Sequence, residues 1–203
     1  MVENLSRSEQ KRQDILLAAL AEFKDKSFAG TSMDAIAERA QASKRTVYNY
    51  FASKELLFQA VMESFWQQSK GVANQAFDAN RPVAEQLEEI ATAMWTLYLQ
   101  SDFIEKARVL MAEFIRQPQL MQQVINEVND QEQGLPLFLK QADASGALRI
   151  NNLKVAETQF WGLCKSFAFW PVMFQLHDYS GEREAIIKSN VTMFVQHYQK
   201  HSD

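Results

Sequence analysis

The sequence predicts an all-α chain of about nine helices, long and thinly punctuated beyond Asn80. Three observations carry that expectation. Apolar residues recur at i, i+3, i+4 spacing nearly throughout the 203 residues, as in helices with one buried face. Only six glycines and four prolines interrupt the pattern, and no stretch alternates apolar and polar residues as a strand would. A content of 47% hydrophobic residues is enough at this length to bury a core.

The first helix is expected from about Ser8 to Lys26, with Ile15, Ala19 and Phe23 on one face and Leu16 and Leu20 beside it. Phe28 and Gly30 close it. Thr31-Ser32-Met33-Asp34 reads as a capping box in which Thr31 reaches the Asp34 amide. It opens a short second helix with a buried stripe of Met33, Ile36, Ala37 and Ala40, ending near Gln41. Ser43 caps a third, very short helix whose Val47, Tyr50 and Phe51 share a face. Ser53 caps a fourth, running to about Phe77.

Pro82 suits the first position of a fifth helix ending near Gln100, and Asp102 the cap of a sixth that stops before Pro118. A seventh is expected to open at Pro118, to kink or break near Gly134 and Pro136, and to end at "DASGAL". Asn152 caps an eighth, apolar nearly all round, with Phe160, Leu163, Phe167, Trp170 and Phe174 on one face and Trp161, Ala168 and Val172 on another. The ninth, from about Glu182 to His201, presents Ile187, Asn190, Val191, Phe194 and Tyr198 as one stripe.

Composition narrows the function classes. The single cysteine, Cys164, excludes an internal disulfide framework and has no CxxC or Cys/His partner for zinc, which fits a reducing cytoplasm. The polar start lacks the apolar core of a signal peptide, and no later apolar run approaches the ~18 residues of a membrane span. A cytoplasmic protein is therefore expected, with no membrane partner. No Glu-x-x-His pair, GKS/T loop or nucleophile elbow is present, and His177, His197 and His201 lack carboxylates at metal-site spacing. No enzyme activity, cofactor or metal is expected. The net charge of −4 hides a split: residues 1–70 hold 10 Lys/Arg against 9 Asp/Glu, whereas the remainder hold 11 against 16. Any polyanion contact is thereby confined to the head.

Within that head, Lys44, Arg45 and Lys54 closely follow the capping serines Ser43 and Ser53. A helix N-terminus carries partial positive charge, so each cation should weaken its helix by roughly 0.3–1 kcal/mol unless an anion compensates. A short helix, a brief turn and a second short helix packed on a first make a helix-turn-helix. If Val47, Tyr50 and Phe51 face inward, the opposite face shows Lys44, Arg45, Tyr48 and Asn49. Those are groove-reading groups: Arg can pair with guanine, Asn with adenine, and Lys and Tyr with phosphate. DNA phosphate is then the natural compensating anion.

Residues 8–60 resemble the DNA-binding domain of the TetR family of transcriptional regulators, through Gly30, Thr31, Ile36, Ala37, Ala40, Ser43, Thr46, Val47, Tyr48, Tyr50, Phe51, Ser53 and Lys54 at intact spacing. The resemblance implies a helix-turn-helix DNA-binding domain over 1–53 and a helical ligand-binding and dimerisation domain over 54–203. It also implies that Thr31 and Ser32 touch phosphate, that Tyr48 and Lys54 clamp it, and that Lys44, Arg45 and Asn49 lie nearest the bases. Ser43 and Thr46 complete the implied DNA-binding set. Gln41 stands where the family usually has a turn glycine, and Arg45 where glycine is often found.

The C-terminal stretches "KARVLMAEFIRQPQL" and "GALRINNLKVAETQFWGLCKSFAFWP" are similar to the regulatory domain of AefR-like members. Met94, Trp95, Tyr98, Met111, Phe114, Phe138, Trp161, Trp170 and Met173 are candidate walls of a pocket for an apolar or aromatic small-molecule effector, though residues of these types also build ordinary core. Phe103 adds to that density, and Arg108, Glu113, Arg116 and His177 are possible polar orienters. The last two helices carry more apolar face than one subunit needs, which predicts a homodimer paired through them. A two-fold dimer sets its reading helices about 34 Å apart on a palindromic operator. The expected function is a DNA-binding transcriptional repressor released by its effector. The alternative is an effector-independent DNA-binding protein whose C-terminal domain only dimerises or recruits a partner.

Overall fold

A computed structural model describes residues 6–72, 74–116, 118–119 and 133–199. Among them lie ten α-helices and one 3-10 turn, with no strand. The helices are α1 (Arg7–Gly30), α2 (Met33–Arg39), α3 (Lys44–Tyr50), α4 (Lys54–Val72), α5 (Val83–Tyr98), α6 (Ser101–Arg116), α7 (Leu135–Ala144), α8 (Leu153–Phe167), α9 (Phe169–Phe174) and α10 (Arg183–Tyr198). The chain divides into two compact units, one of 1–66 with 106–128 and the other of 67–105 with 129–203.

The first unit is organised by α1. Ser6 and Glu9 form a capping box at its start, each side chain bonding the other's backbone N–H. Its regular part breaks at Ser27, whose φ of 61° is left-handed, and Phe28 beyond the break enters the core. Phe23, Phe28 and Phe58 meet pairwise with centroids 5.2–5.6 Å apart. Ile15, Ile36, Val47, Leu57 and Leu110 fill the space around them, each of the first four 0% exposed. At about 1.5–3 kcal/mol for each fully buried large side chain, this cluster holds α2 and α3, seven residues each, which could not stand alone.

The capping register of α2 differs from the sequence expectation. Ser32, not Thr31, is the N-cap, accepting from the Ala35 N–H at 3.1 Å. Thr31 is buried, and its hydroxyl donates to the Glu22 and Ser27 carbonyls at 3.0 and 2.8 Å. Both carbonyls belong to the last turns of α1 around the Ser27 break, so the Thr31 hydroxyl is committed there and not to the Asp34 amide. The α2–α3 turn closes as a Schellman motif: the Gln41 N–H reaches the Glu38 carbonyl at 3.1 Å and the Ala42 N–H the Ala37 carbonyl at 3.0 Å. Gln41 therefore takes the left-handed conformation itself, at φ 47°.

In the second unit, α10 packs on α5 and α8, and α8 also contacts α7 and α9. Leu87, Ile90 and Trp95 of α5, Phe138 and Leu139 of α7, Phe160 of α8, and Val191 and Phe194 of α10 are buried. The long aromatic helix expected after Asn152 is two helices. Pro171 has no N–H to offer the Phe167 carbonyl and its ring crowds that turn, so α8 ends at Phe167 and α9 follows Ala168. Pro82 stands at the N-cap of α5 with ψ 129°, one position before its expected place. Asp102 lies within the first turn of α6 rather than ahead of it. α4 ends at Val72, and Phe77 instead packs edge-on against Phe138 at 5.4 Å. Of the helix expected to open at Pro118, residues 120–132 lie outside the described residues; α7 starts afresh at Leu135, with Gly134 at φ 67° and Pro136 in its first turn.

Candidate nucleic-acid interface

The reading helix α3 takes its orientation from its buried side. Val47 is 0% exposed, Phe51 is buried just past its end, and the Tyr50 hydroxyl contacts Ser8 Oγ at 3.0 Å, tying α3 to the start of α1. Arg12 lies 5.4 Å over the Phe51 ring. Lys44, Arg45, Tyr48 and Asn49 are left exposed on the other side, with Tyr48 at 49%. The inward and outward sets are the two that the i, i+3, i+4 spacing assigned.

Hydroxyl groups at the two helix starts retain donor capacity. Ser32 uses only a lone pair in capping α2, so its proton remains available. Ser43 accepts from the Thr46 N–H at 3.0 Å and shares one hydrogen bond with Thr46 Oγ1 at 2.8 Å, which commits one of their two protons. Thr31 offers nothing comparable, because its proton is shared between two buried carbonyls.

The three cations have different surroundings. Lys44 Nζ sits 2.5 Å from Asp34 Oδ2 across the α2–α3 corner. Lys54 Nζ turns inward, donating to the Phe28 and Thr31 carbonyls at 2.7 and 2.8 Å and lying 4.5 Å over the Phe28 ring. It thereby satisfies carbonyls around the broken end of α1, and one of its three N–H donors is left for an outside anion. Arg45 is exposed and has no ion pair among the described residues. Spacing alone did not identify Asp34 as a partner, since ten residues and a turn separate it from Lys44.

Beneath this surface, Glu22 is 3% exposed and pairs with Arg39 Nε at 2.7 Å and Lys26 Nζ at 2.9 Å, while Arg39 also reaches Asp25 at 2.6 Å. The Lys26 ammonium, followed by Arg39, holds the Glu22 carboxyl below its ordinary range against the opposing effect of burial. The network fastens α2 to α1. Its signal in the sequence is a glutamate on the Ile15–Ala19–Phe23 face of an otherwise apolar stripe.

Residues 15–61 match the family model of bacterial regulatory proteins of the tetR family, and residues 85–200 match that of the AefR-like transcriptional repressor C-terminal domain. The chain belongs to the TetR family. It is similar over 98% of its length, at 33% identity, to the whole of a crystallised TetR family regulator from Pseudomonas syringae pv. tomato, with a TM-score of 0.76. It is also similar to the flavonoid-responsive regulator FrrA, at 25% identity over 96% of this chain and 100% of that one, with a TM-score of 0.77. Among curated relatives, the HTH-type transcriptional repressor NicS of Pseudomonas putida is 30% identical over 95 residues, which is 46% of this chain and less than half, 44%, of that one. As a TetR family member the chain is a transcriptional regulator and not an enzyme.

In this TetR family chain the candidate pocket residues are distributed between the two units. Met111 and Phe114 belong to the first, where Phe114 packs against the core cluster. Met94, Trp95, Tyr98, Phe138 and Met173 are buried in the second. Trp161 is half-buried and edge-on to Phe160 at 5.5 Å, whereas Trp170 is 36% exposed and stacked on Phe174. A cavity of about 10 Å³ lies between α5, α8 and α10, touching Trp95, Phe160, Cys164, Ile187 and Asn190. That is room for about one water. Burial pushes the Cys164 thiol up to about 12, so it is neutral there. His177 is exposed beside Tyr179, and Glu113 is buried with Arg116 at 2.7 Å. No helix of the described residues is long and apolar enough to cross a membrane.

Proposed function

We propose that the chain is a homodimeric repressor that reads a palindromic DNA operator through α3 and is released by an apolar or aromatic small molecule. The observation that carries the reading is the division of α3 into a buried side, Val47, and an exposed side bearing a guanidinium, a phenol and an amide. Arg45 and Asn49 are suited to base edges, and Tyr48, Ser32, Ser43 and Thr46 to phosphate. Exposed apolar side chains on the last elements, Val155, Trp170, Phe174, Leu176 and Met193, support pairing of two copies there. An aromatic effector agrees with the ring content of the second unit and with FrrA, a relative whose name describes a response to flavonoids.

An electrophoretic shift with DNA flanking the protein's own gene tests the reading. A salt-sensitive complex is expected, weakened by both Tyr48→Ala and Asn49→Ala; a shift that neither variant alters would overturn the assignment. Sedimentation should report a dimer at micromolar concentration.

The small cavity favours a second reading, in which the C-terminal unit serves only dimerisation or partner recruitment. Ligand sites commonly enclose about 300–1,000 Å³, so an effector would have to part α5, α8 and α10. Calorimetric titration with flavonoids and related aromatics decides between the two: saturable heats that accompany loss of the DNA complex favour the first, and none across the series favours the second.

A further inference from the structure

The cations at the DNA-facing corner are not equivalent. Lys44 and Asp34 are both exposed, at 67% and 55% of their side-chain surface, and are joined at 2.5 Å. Whether the ammonium stays on the carboxylate or swings toward a phosphate, the carboxylate remains beside it and the pair adds no net charge to the surface. Lys54 is engaged with two backbone carbonyls. Arg45, one residue from Lys44, has no acidic partner among the described residues.

We infer that Asp34 cancels Lys44 as a source of phosphate affinity, leaving Arg45 as the residue that supplies the net charge with which α3 meets DNA. The inference rests on the DNA-binding reading above and deepens it. Asp34 is a positioning residue, acting through Lys44. It keeps a flexible lysine from adding sequence-independent attraction, so that more of the affinity comes from the forked donor of Arg45, which can distinguish bases.

Fluorescence anisotropy of the full chain on a selected operator duplex and on a random duplex, from about 50 to 200 mM salt, gives the slope of log K against log salt, and one phosphate charge is worth about 0.9 in that slope. Asp34→Asn should steepen the slope by about 0.9, equivalent to about a threefold greater loss of affinity across this range, and should lower the operator-to-random ratio. Arg45→Gln should flatten it by about 0.9, while the double variant Asp34→Asn/Lys44→Gln leaves it unchanged. Glu38→Gln, an exposed acid on the same helix, also leaves it unchanged and separates release of Lys44 from a general loss of negative charge.

An unaltered slope in Asp34→Asn, or a double variant that loses as much slope as Arg45→Gln, overturns the inference while leaving DNA binding standing. A wild-type chain with no salt-sensitive DNA complex overturns both.

Discussion

The two units solve the problem of helix ends differently. In the first, α2 and α3 are short and the helix starts are met by named side chains, Ser6 with Glu9, Ser32, Ser43 and Ser53, with Lys54 at the broken end of α1. In the second, α5 and α10 have no side-chain cap, and α5, α8 and α10 are held by what they bury. Two α-helices of seven residues bury little surface, so polar groups must hold their ends in register; a helix of sixteen has apolar area to spare. The consequence is that polar substitutions should damage the first unit more than the second.

The largest test concerns what the units have in common. Phe58 is 0% exposed at the centre of the three-ring cluster, so Phe58→Ala should destabilise the first unit by about 3–5 kcal/mol. Hydrogen exchange should show protection lost across α1–α3 and retained in α8 and α10. Equal loss in both units would mean that they unfold as one, and the contrast between them would have no energetic meaning.

Next in size is Lys54. Its ammonium donates to two carbonyls, and charge-assisted bonds of that kind contribute about 1.5–3 kcal/mol, so Lys54→Ala should lower the unfolding free energy measured by urea titration by that order. Tyr48→Ala, on an exposed face, should leave it within about 0.5 kcal/mol while weakening the DNA complex. The pair of variants separates a fastening residue from a contacting one. If Lys54→Ala melts like the parent and only loses DNA, its internal bonds are incidental.

How legible all this was follows the same division. The Ser43 and Ser53 caps, the Val47–Phe51 face and the stripe on α10 could be read directly, because local hydrogen bonding and helical periodicity fix them. Thr31 and Ser32 are adjacent residues that can each cap a helix, and only the Glu22 and Ser27 carbonyls, which take the Thr31 hydroxyl, decide between them. The Asp34–Lys44 and Lys54–Phe28 contacts are tertiary and leave no mark in spacing. Pro171 did carry the signal for the break between α8 and α9, but the surrounding apolar pattern continues through it. Pocket and core draw on the same aromatic and methionine residues, so composition pointed to Trp95 beside the cavity but not to Phe160, Ile187 or Asn190.

The Glu22 network makes the contrast pH-dependent. The Glu22 pKa is lowered in the folded chain, so its contribution is fully present above the unfolded value of about 4.3 and is lost as pH falls through the folded value. The α1–α2 contact should therefore loosen below about pH 4, with no counterpart from Cys164, whose raised value keeps it neutral throughout that range. Circular dichroism midpoints for Glu22→Gln should be lower at neutral pH and nearly level with the parent in acid. A constant difference across pH would assign the effect to packing instead.

The smallest expected effect is at the turn. Gln41 and Gln175 both occupy the left-handed position of a Schellman motif, at φ 47° and 55°, where Gly146 at φ 80° does the same after α7. A non-glycine residue there is strained by about 1 kcal/mol or more, and glycine removes the strain while giving part of the gain back through a freer unfolded chain. Gln41→Gly and Gln175→Gly should each stabilise by about 0.5–1 kcal/mol, seen as a rise of about 1–4 °C in Tm. Only the first lies between α2 and α3, so only there could relief of strain also alter the DNA complex. An unchanged operator affinity in Gln41→Gly would show that the turn is set by its hydrogen bonds, Gln41 to Glu38 and Ala42 to Ala37, and that the glutamine merely tolerates it.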